Sequence, residues 1–253
     1  MRIPHSDRPT SPYSPMQLPF FFELDLPDLS ELILSEESSH HIAQVLRMKE
    51  GASLLLTDGR GTRAEAVILE AHRRQTRVRI SERSAEPRPR PEVRVAIPLI
   101  KNKNRLEWFL EKATETGVSE ILPLITSRTE KSHFRTDRAR HILVSAMLQS
   151  EQSWMPAITE PLTLTEVLTK WDAANKYIAH CMDIGQKQFL REVPLVPGDH
   201  LVLIGPEGDF TPQEVELAFS HDFQAIGLGD NRLRTETAAL VAAVLILQRT
   251  GRM

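Results

Sequence analysis

The sequence predicts a mixed α/β protein in which a small β-rich domain precedes a larger domain built on a parallel sheet. Three observations predict it. Short apolar stretches separated by turn residues fill the first third of the chain; prolines at alternate positions, Pro87, Pro89 and Pro91, then interrupt it; beyond them apolar runs alternate with segments of helical period. At 253 residues, with 41% hydrophobic content, the chain is long enough for two cores.

Residues 1–16 are rich in proline and serine without an apolar period, which reads as a disordered or non-native tail. From Phe20 the strand candidates are residues 20–22, 32–34, 53–56, 64–69 and 76–80, with Asp58-Gly59-Arg60-Gly61 as the plainest turn between them. Only residues 38–47 read as a helix there. Residues 84–91 cannot join a sheet interior or a helix and mark the boundary between a domain at 17–86 and one at 87–253.

In the second domain a strand at 93–97 leads to a helix from about Asn104. Asn104 and Glu107 have N-cap and N3 spacing, Leu106, Leu110 and Ala113 continue the period, and Gly117 stops it. Trp108, on the same helix, is expected to be buried in the core or an interface. A strand at 120–125 and a helix at 136–150 follow, then strands at 177–180 and 201–204, a helix from Thr211, a strand at 224–228 and a closing helix at 235–248. This alternation predicts a parallel sheet covered on both faces.

Composition excludes several classes. The single cysteine, Cys181, rules out an intrachain disulfide and a cysteine metal site in a monomer. No apolar run reaches the roughly 20 residues that span a bilayer, so we expect a soluble, cytoplasmic protein with no membrane partner. His40 and His41 are adjacent and lack accompanying ligands, so we expect no metal. Net charge is −3, so nucleic-acid contact requires a local patch. Residues 60–103 supply one on paper, with 12 Lys/Arg against 5 Glu and no Asp. His41, Arg47, Arg73, Arg74 and Arg77 are the RNA-contact candidates.

Two motifs carry chemistry. In the first, an apolar strand runs into Ile204-Gly205-Pro206-Glu207-Gly208, after which Thr211, Pro212 and Glu214 have the spacing of an N-cap, an N1 proline and a capping box. A glycine-rich loop leaving the carboxyl end of a parallel strand is where open α/β sheets bind ligands. In the second, Leu228-Gly229 leads through Leu233-Arg234 to a helix start at Thr235-Glu236-Thr237. A helix N-terminus beside Arg234 suits an anion or a developing negative charge. Either loop alone is equally well read as an ordinary strand-to-helix connection, with Arg234 satisfied by Glu236 or solvent.

In this order the two motifs resemble those of the RsmE family of small-subunit ribosomal RNA uridine N3-methyltransferases, in the knotted SPOUT class. The resemblance extends to His40-His41-Ile42, Val45-Leu46-Arg47 and Gly51, and to residues 101–108 with Lys112, Glu115, Gly117-Val118 and Pro123. It implies an N-terminal PUA-like β-barrel, a C-terminal domain tied in a trefoil knot, a homodimer, S-adenosyl-L-methionine as cofactor, and 16S rRNA or the small ribosomal subunit as partner. Carried onto this sequence, Gly205, Pro206, Glu207, Gly208, Leu228, Gly229, Leu233, Arg234, Thr235 and Thr237 would line the cofactor pocket, and Arg234 would stabilise the uracil anion during transfer. The chain departs from the family after Glu151-Gln152-Ser153, where Trp154 stands and no arginine precedes Pro156. Two alternatives stay open at this point: a SPOUT methyltransferase for another RNA nucleotide, and a non-catalytic RNA-binding assembly factor.

Overall fold

The computed structural model describes residues 18–129 and 134–253; the tail expected at 1–16 lies outside them. The chain divides into two units, one running to Asp58 and taking in Thr62–Ala85, the other holding Gly59–Gly61 and Glu86–Met253.

In the first unit β1 (Phe20–Phe22), β2 (Glu31–Ile33), β3 (Ser53–Thr57), β4 (Thr62–Glu70) and β5 (Arg77–Ala85) form one sheet in the order β1-β3-β4-β5-β2. All pairings are antiparallel except β1 with β3. Period-2 alternation sets the inner face: Leu54, Leu56, Ala64, Ala66, Ile68 and Val78 turn to the same core as Phe21, Leu34 and Ile42. Register shifts after Glu65 and Ile68 bend the long β4–β5 ribbon and curl the sheet.

The helix expected at 38–47 is a correction. α1 (Glu36–His40) starts earlier, capped by Ser35, whose hydroxyl accepts from Ser38 N and donates to Glu23. Residues His41–Val45 then continue as a π-helical turn, closed by Leu46 N to His41 O at 2.9 Å. Arg47 follows in the left-handed region, φ 52°.

The second unit holds β6 (Val93–Pro98), α2 (Lys103–Glu115), β7 (Glu120–Ile125), α3 (Thr136–Gln149), β8 (Ala157–Ile158), β9 (Leu162–Thr163), α4 (Leu164–Lys170), β10 (Asn175–Ala179), β11 (Gln188–Phe189), β12 (His200–Ile204), α5 (Pro212–Ser220), β13 (Gln224–Gly227) and α6 (Thr235–Arg249). The strands are parallel, in the order β11-β13-β10-β12-β6-β7-β8, with β9 also on β7. Alternate residues of one strand go to opposite cores. Val202 and Ile204 join α2, α3 and α6 on one face, and Leu201 and Leu203 join α4 and α5 on the other. The expected double coverage is therefore present, and it explains why β12 is apolar at nearly every position.

α4 and the two-residue strands β8, β9 and β11 were not foreseen. α2 differs in detail. Its N-cap is Asn102, which accepts from Asn104 N at 3.0 Å, and Glu107 pairs with Arg138 at 2.9 Å instead of closing a capping box. Gly117, φ +86°, ends the helix in a Schellman motif, with Val118 N bonded to Ala113 O. Trp108 is 41% exposed in this chain, not in its core, because Leu106, Phe109, Leu110 and Ala113 occupy the inward stripe.

The segment around Trp154 is structural. Its Nε1 donates to Glu86 O at 3.0 Å, and its ring packs on Gly61, where a Cβ would lie 2.6 Å from both ring and carbonyl. Gln152 Nε2 likewise donates to Thr114 O at 2.8 Å.

One buried group makes stability pH-dependent. His200, at the start of β12, is 1% exposed, stacks on Tyr177, and has Nδ1 unpartnered. Burial pushes its pKa down to about 4. An unfolded histidine titrates near ~6.5, so below that pH the unfolded chain takes up a proton that the folded chain refuses. The contribution is fully present above ~6.5 and lost as pH falls through the folded value, a cost of about 2–3 kcal/mol near pH ~4.5. His200→Phe is expected to flatten this part of the urea-stability profile against pH. A variant profile parallel to wild type between pH ~7 and ~4.5 would sink the assignment.

Candidate ligand-binding site

The carboxyl ends of β10, β12 and β13 open onto a cleft of about 800 Å³. That volume falls within the roughly 300–1,000 Å³ of small-molecule sites. Three devices shape its first wall, residues 205–209. The strand β12 delivers Gly205, whose N–H donates to Ala179 O at 3.2 Å. A Cβ on Gly205 would lie 2.9 Å from Asp209 Oδ1, so a larger residue here would push the Asp209 carboxylate out of the turn it braces. Asp209 itself, φ 64°, accepts from Phe210 N and from Cys181 N at 2.9 Å each and so braces the turn against the end of β10.

The capping box after the loop forms as its spacing predicts, with Pro212 in the first turn and Thr211 Oγ1 accepting from Glu214 N at 3.2 Å. Glu214 also accepts from Ser127 N at 2.8 Å, and Arg128 donates to Gly208 O at 2.6 Å. Residues beyond β7 therefore clamp the loop from outside.

The second wall leaves β13 at Gly227 and passes Gly229, φ +142°, a conformation that excludes most side chains. It ends at Arg234, the N-cap residue of α6, whose side chain makes no capping bond. Thr235 Oγ1 then donates to Gly205 O at 3.2 Å. This bond ties the two sequence motifs, about thirty positions apart, into one rim.

Of the ten predicted pocket residues, Gly205, Pro206, Glu207, Gly208, Leu228, Gly229, Leu233, Arg234 and Thr235 line the cleft, and Thr237 does not. The cleft also takes in Arg105, His180, Cys181 and Lys187, which lie outside both motifs, and Asp209 and Arg232, which lie within them but were not among the predicted contacts. Glu236, buried in the first turn of α6 two residues after Arg234, has Oε1 3.7 Å from Arg105 and Oε2 without a hydrogen-bond partner, so its one ion pair is with a different arginine.

The RNA-contact candidates are less unified. Arg47 and Arg73 line one shallow concavity of the first unit together with Lys49 and His72. His41 is set edge-on to Phe21 at 5.7 Å, Arg74 pairs with Glu36 and Arg77 with Glu70, each at 3.5 Å. The basic run at 60–103 is not one patch. Arg83 donates to Leu26 O and Pro27 O, Arg79 pairs with Glu31, and Arg94 sits in a buried ion cluster.

The RNA methyltransferase domain family matches residues 86–247, and the RNA methyltransferase PUA domain family matches residues 34–81. A curled N-terminal sheet joined to a parallel α/β unit with this cleft thus has the build of an RNA methyltransferase carrying a PUA domain. The ribosomal RNA small subunit methyltransferase E of Rickettsia conorii is 30% identical over 212 residues, 83% of this chain and 86% of its own length. The chain belongs to that family, RsmE, as its motifs led us to expect. Among solved structures, a probable rRNA-methyltransferase from Porphyromonas gingivalis superposes with a TM-score of 0.85 at 36% identity, covering 91% of this chain and 98% of the other. The ribosomal RNA small subunit methyltransferase E of Neisseria gonorrhoeae, bound to S-adenosyl methionine, superposes with a TM-score of 0.82 at 26% identity, covering 92% and 98%.

Proposed function

We propose that this protein uses S-adenosyl-L-methionine to methylate N3 of one specific uridine in 16S rRNA. The observation that carries the reading is the single cleft that Thr235 and Gly205 close between the two motif loops. The cofactor fits what is there: a tight turn at Gly205, where a Cβ would meet the Asp209 carboxylate, main-chain groups around Gly229, and a cleft of about 800 Å³. The relatives' names and the S-adenosyl methionine on the Neisseria chain support it.

Bound in the cleft, S-adenosylmethionine supplies a sulfonium methyl group to a nucleophilic base atom. Uracil N3 carries a proton that must leave as the N3–methyl bond forms and the sulfur–methyl bond breaks, and the negative charge spreads onto O2 and O4. The chain's task is alignment and charge stabilisation. Residues 205–208, Leu228, Gly229, Leu233 and Thr235 hold the cofactor, and Arg234, at the α6 N-terminus, faces the developing anion. Residues 17–86 act as the RNA-binding domain, with Arg47 and Arg73 toward phosphate, and residues 87–253 as a knotted SPOUT domain. The working form is a cytoplasmic homodimer. No helix among the described residues is long and apolar enough to cross a membrane.

Mapping modified nucleosides in rRNA from cells lacking the gene tests this. One N3-methyluridine is expected to vanish from 16S rRNA and to return with the wild-type gene. An unchanged 16S map, or loss of a different modified nucleoside, would refute the assignment.

A further inference from the structure

Arginines line the cleft from two elements: Arg105 from the first turn of α2, and Arg232 and Arg234 from the segment that leads into α6. The proposed reaction occupies Arg234 and leaves the other two without a task. Arg232 is exposed and has no ion pair or side-chain hydrogen bond among the described residues. Arg105 is half-buried, and its one partner is Glu236, whose Oε1 lies 3.7 Å from Nε. That carboxylate stands on the Nε side of the guanidinium, so the fork of two Nη groups is left open to the cleft. The remaining charges there do not answer these cations. Asp209 accepts from the main-chain N–H groups of Cys181 and Phe210, and Glu207 and Asp230 pair with no arginine among the described residues.

The cofactor does not answer them either. S-adenosylmethionine carries a sulfonium and an ammonium against a single carboxylate, so it enters as a net cation. A wall of unpaired arginines around a cationic ligand is balanced only when an anion of higher charge arrives as well. RNA is that anion. Uracil N3 lies on the pairing edge of the base, so the nucleotide has to leave its helix or stack to reach the methyl group. It then carries a phosphate on either side to the mouth of the cleft.

We infer that Arg105 and Arg232 hold the phosphates that flank the target nucleotide, Arg105 through its open fork. This rests on the proposed function of the same cleft. It gives the methyltransferase unit a phosphate-binding site of its own, in addition to Arg47 and Arg73 of the first unit.

The test follows the anisotropy of a fluorescein-labelled oligouridylate on the full chain, saturated with S-adenosylhomocysteine, across a range of salt. Loss of one phosphate contact flattens the slope of log affinity against log salt by about 0.7 for a single strand. Arg105→Gln and Arg232→Gln are each expected to flatten it by about that amount and to weaken binding about three- to tenfold at low salt. Arg105→Lys keeps the charge and is expected to restore the slope, but only part of the affinity, because the fork is gone. Calorimetry is expected to find S-adenosylhomocysteine affinity within about twofold of wild type in every variant. Thermal melting identifies the folded variants, and Arg232→Gln, in an exposed loop, carries the test where an Arg105 variant fails to fold. An unchanged salt slope in a folded glutamine variant overturns the proposal. A fall in S-adenosylhomocysteine affinity with RNA binding intact overturns it too, by giving the arginine to the cofactor's carboxylate. Failure of wild type to bind S-adenosylhomocysteine removes the cofactor reading itself, which separates the two outcomes.

Discussion

Replacing Arg94 by alanine is expected to destabilise the protein by about 3–5 kcal/mol at neutral pH, the usual consequence of leaving a buried charge uncompensated. Arg94 is the hub of a cluster at the amino ends of β6, β7 and β12. Its side chain is 14% exposed and pairs with Glu92, with Asp199 at 3.1 Å and with Glu120 at 3.2 Å. The same guanidinium donates to Asp172 O at 3.2 Å, and Trp171 Nε1 donates to Glu120 at 3.1 Å. Three carboxylates share this half-dry place with three arginines: Arg88 and Arg90 reach Glu92 and Asp199 from the exposed side, and Arg94 is the cation buried among them and the one paired with Glu120. Burial already raises the Glu120 pKa, with the Trp171 hydrogen bond and Arg94 opposing it. Asp199 is held below its usual value: burial works against this, but the Glu92 N–H and the charges of Arg94 and Arg90 outweigh it.

Two features make the expectation testable. Arg94→Met, which restores most of the volume, is expected to lose nearly as much as alanine, since charge and not packing is the cause. The penalty is also expected to shrink as pH falls toward ~4, where protonation relieves the repulsion in the variant. Urea denaturation at neutral pH and near pH ~4.5 measures both. A loss below about 1 kcal/mol at neutral pH would show that the cluster is solvated enough to do without its cation.

Arg94 also shows where sequence reading stops. In the sequence it is one more arginine in a basic stretch; in the fold it is paired three ways, because strand order brings Asp199 and Glu120 beside it from distant segments. Most local signals survived the passage to structure, the Asn104 and Glu107 spacing being an exception. The capping box at Thr211 and Glu214, the stop at Gly117 and the alternation in β4 depend on neighbours a few residues away, and each is present. The same kind of signal was available at Thr163 and Glu166, which form a capping box at the start of α4. That helix is only seven residues long, too short for its apolar period to stand out. The cleft was legible along two of its strands and silent along the third. Strands β12 and β13 carry glycine loops, whereas β10 is followed by His180 and Cys181 without a motif, and only the sheet order places it between the other two. Arg105 was invisible for the same reason, since nothing in its own helix points to Glu236.

Arg234→Ala is expected to lower kcat on rRNA by about 10²–10³, the loss seen when one preorganised charge-stabilising group is removed from a water-poor site. The expectation rests on position. Arg234 caps α6, so its guanidinium joins the positive end of the helix dipole at the rim of the cleft. The neighbouring acid, Glu236, lies with Oε1 3.7 Å from Arg105 and with Oε2 buried and unpartnered, and it makes no ion pair with Arg234. In the proposed N3 reaction, a cation free of a fixed carboxylate can lend its whole charge to O2 or O4 of uracil as N3 loses its proton. Because that charge exists only on the way to the transition state, the cost falls on kcat and not on cofactor binding. Affinity for S-adenosylhomocysteine is therefore expected to stay within about threefold of wild type, the Thr235–Gly205 bond and both loops being untouched. Arg234→Lys keeps a charge but loses the planar fork, and an intermediate rate is expected. Raising the pH ionises more of the uracil without help from the protein, so the gap between Arg234→Ala and wild type is expected to narrow in alkaline buffer. A purely structural arginine predicts the opposite pattern: cofactor affinity and thermal stability fall together, and the deficit in rate is the same at every pH.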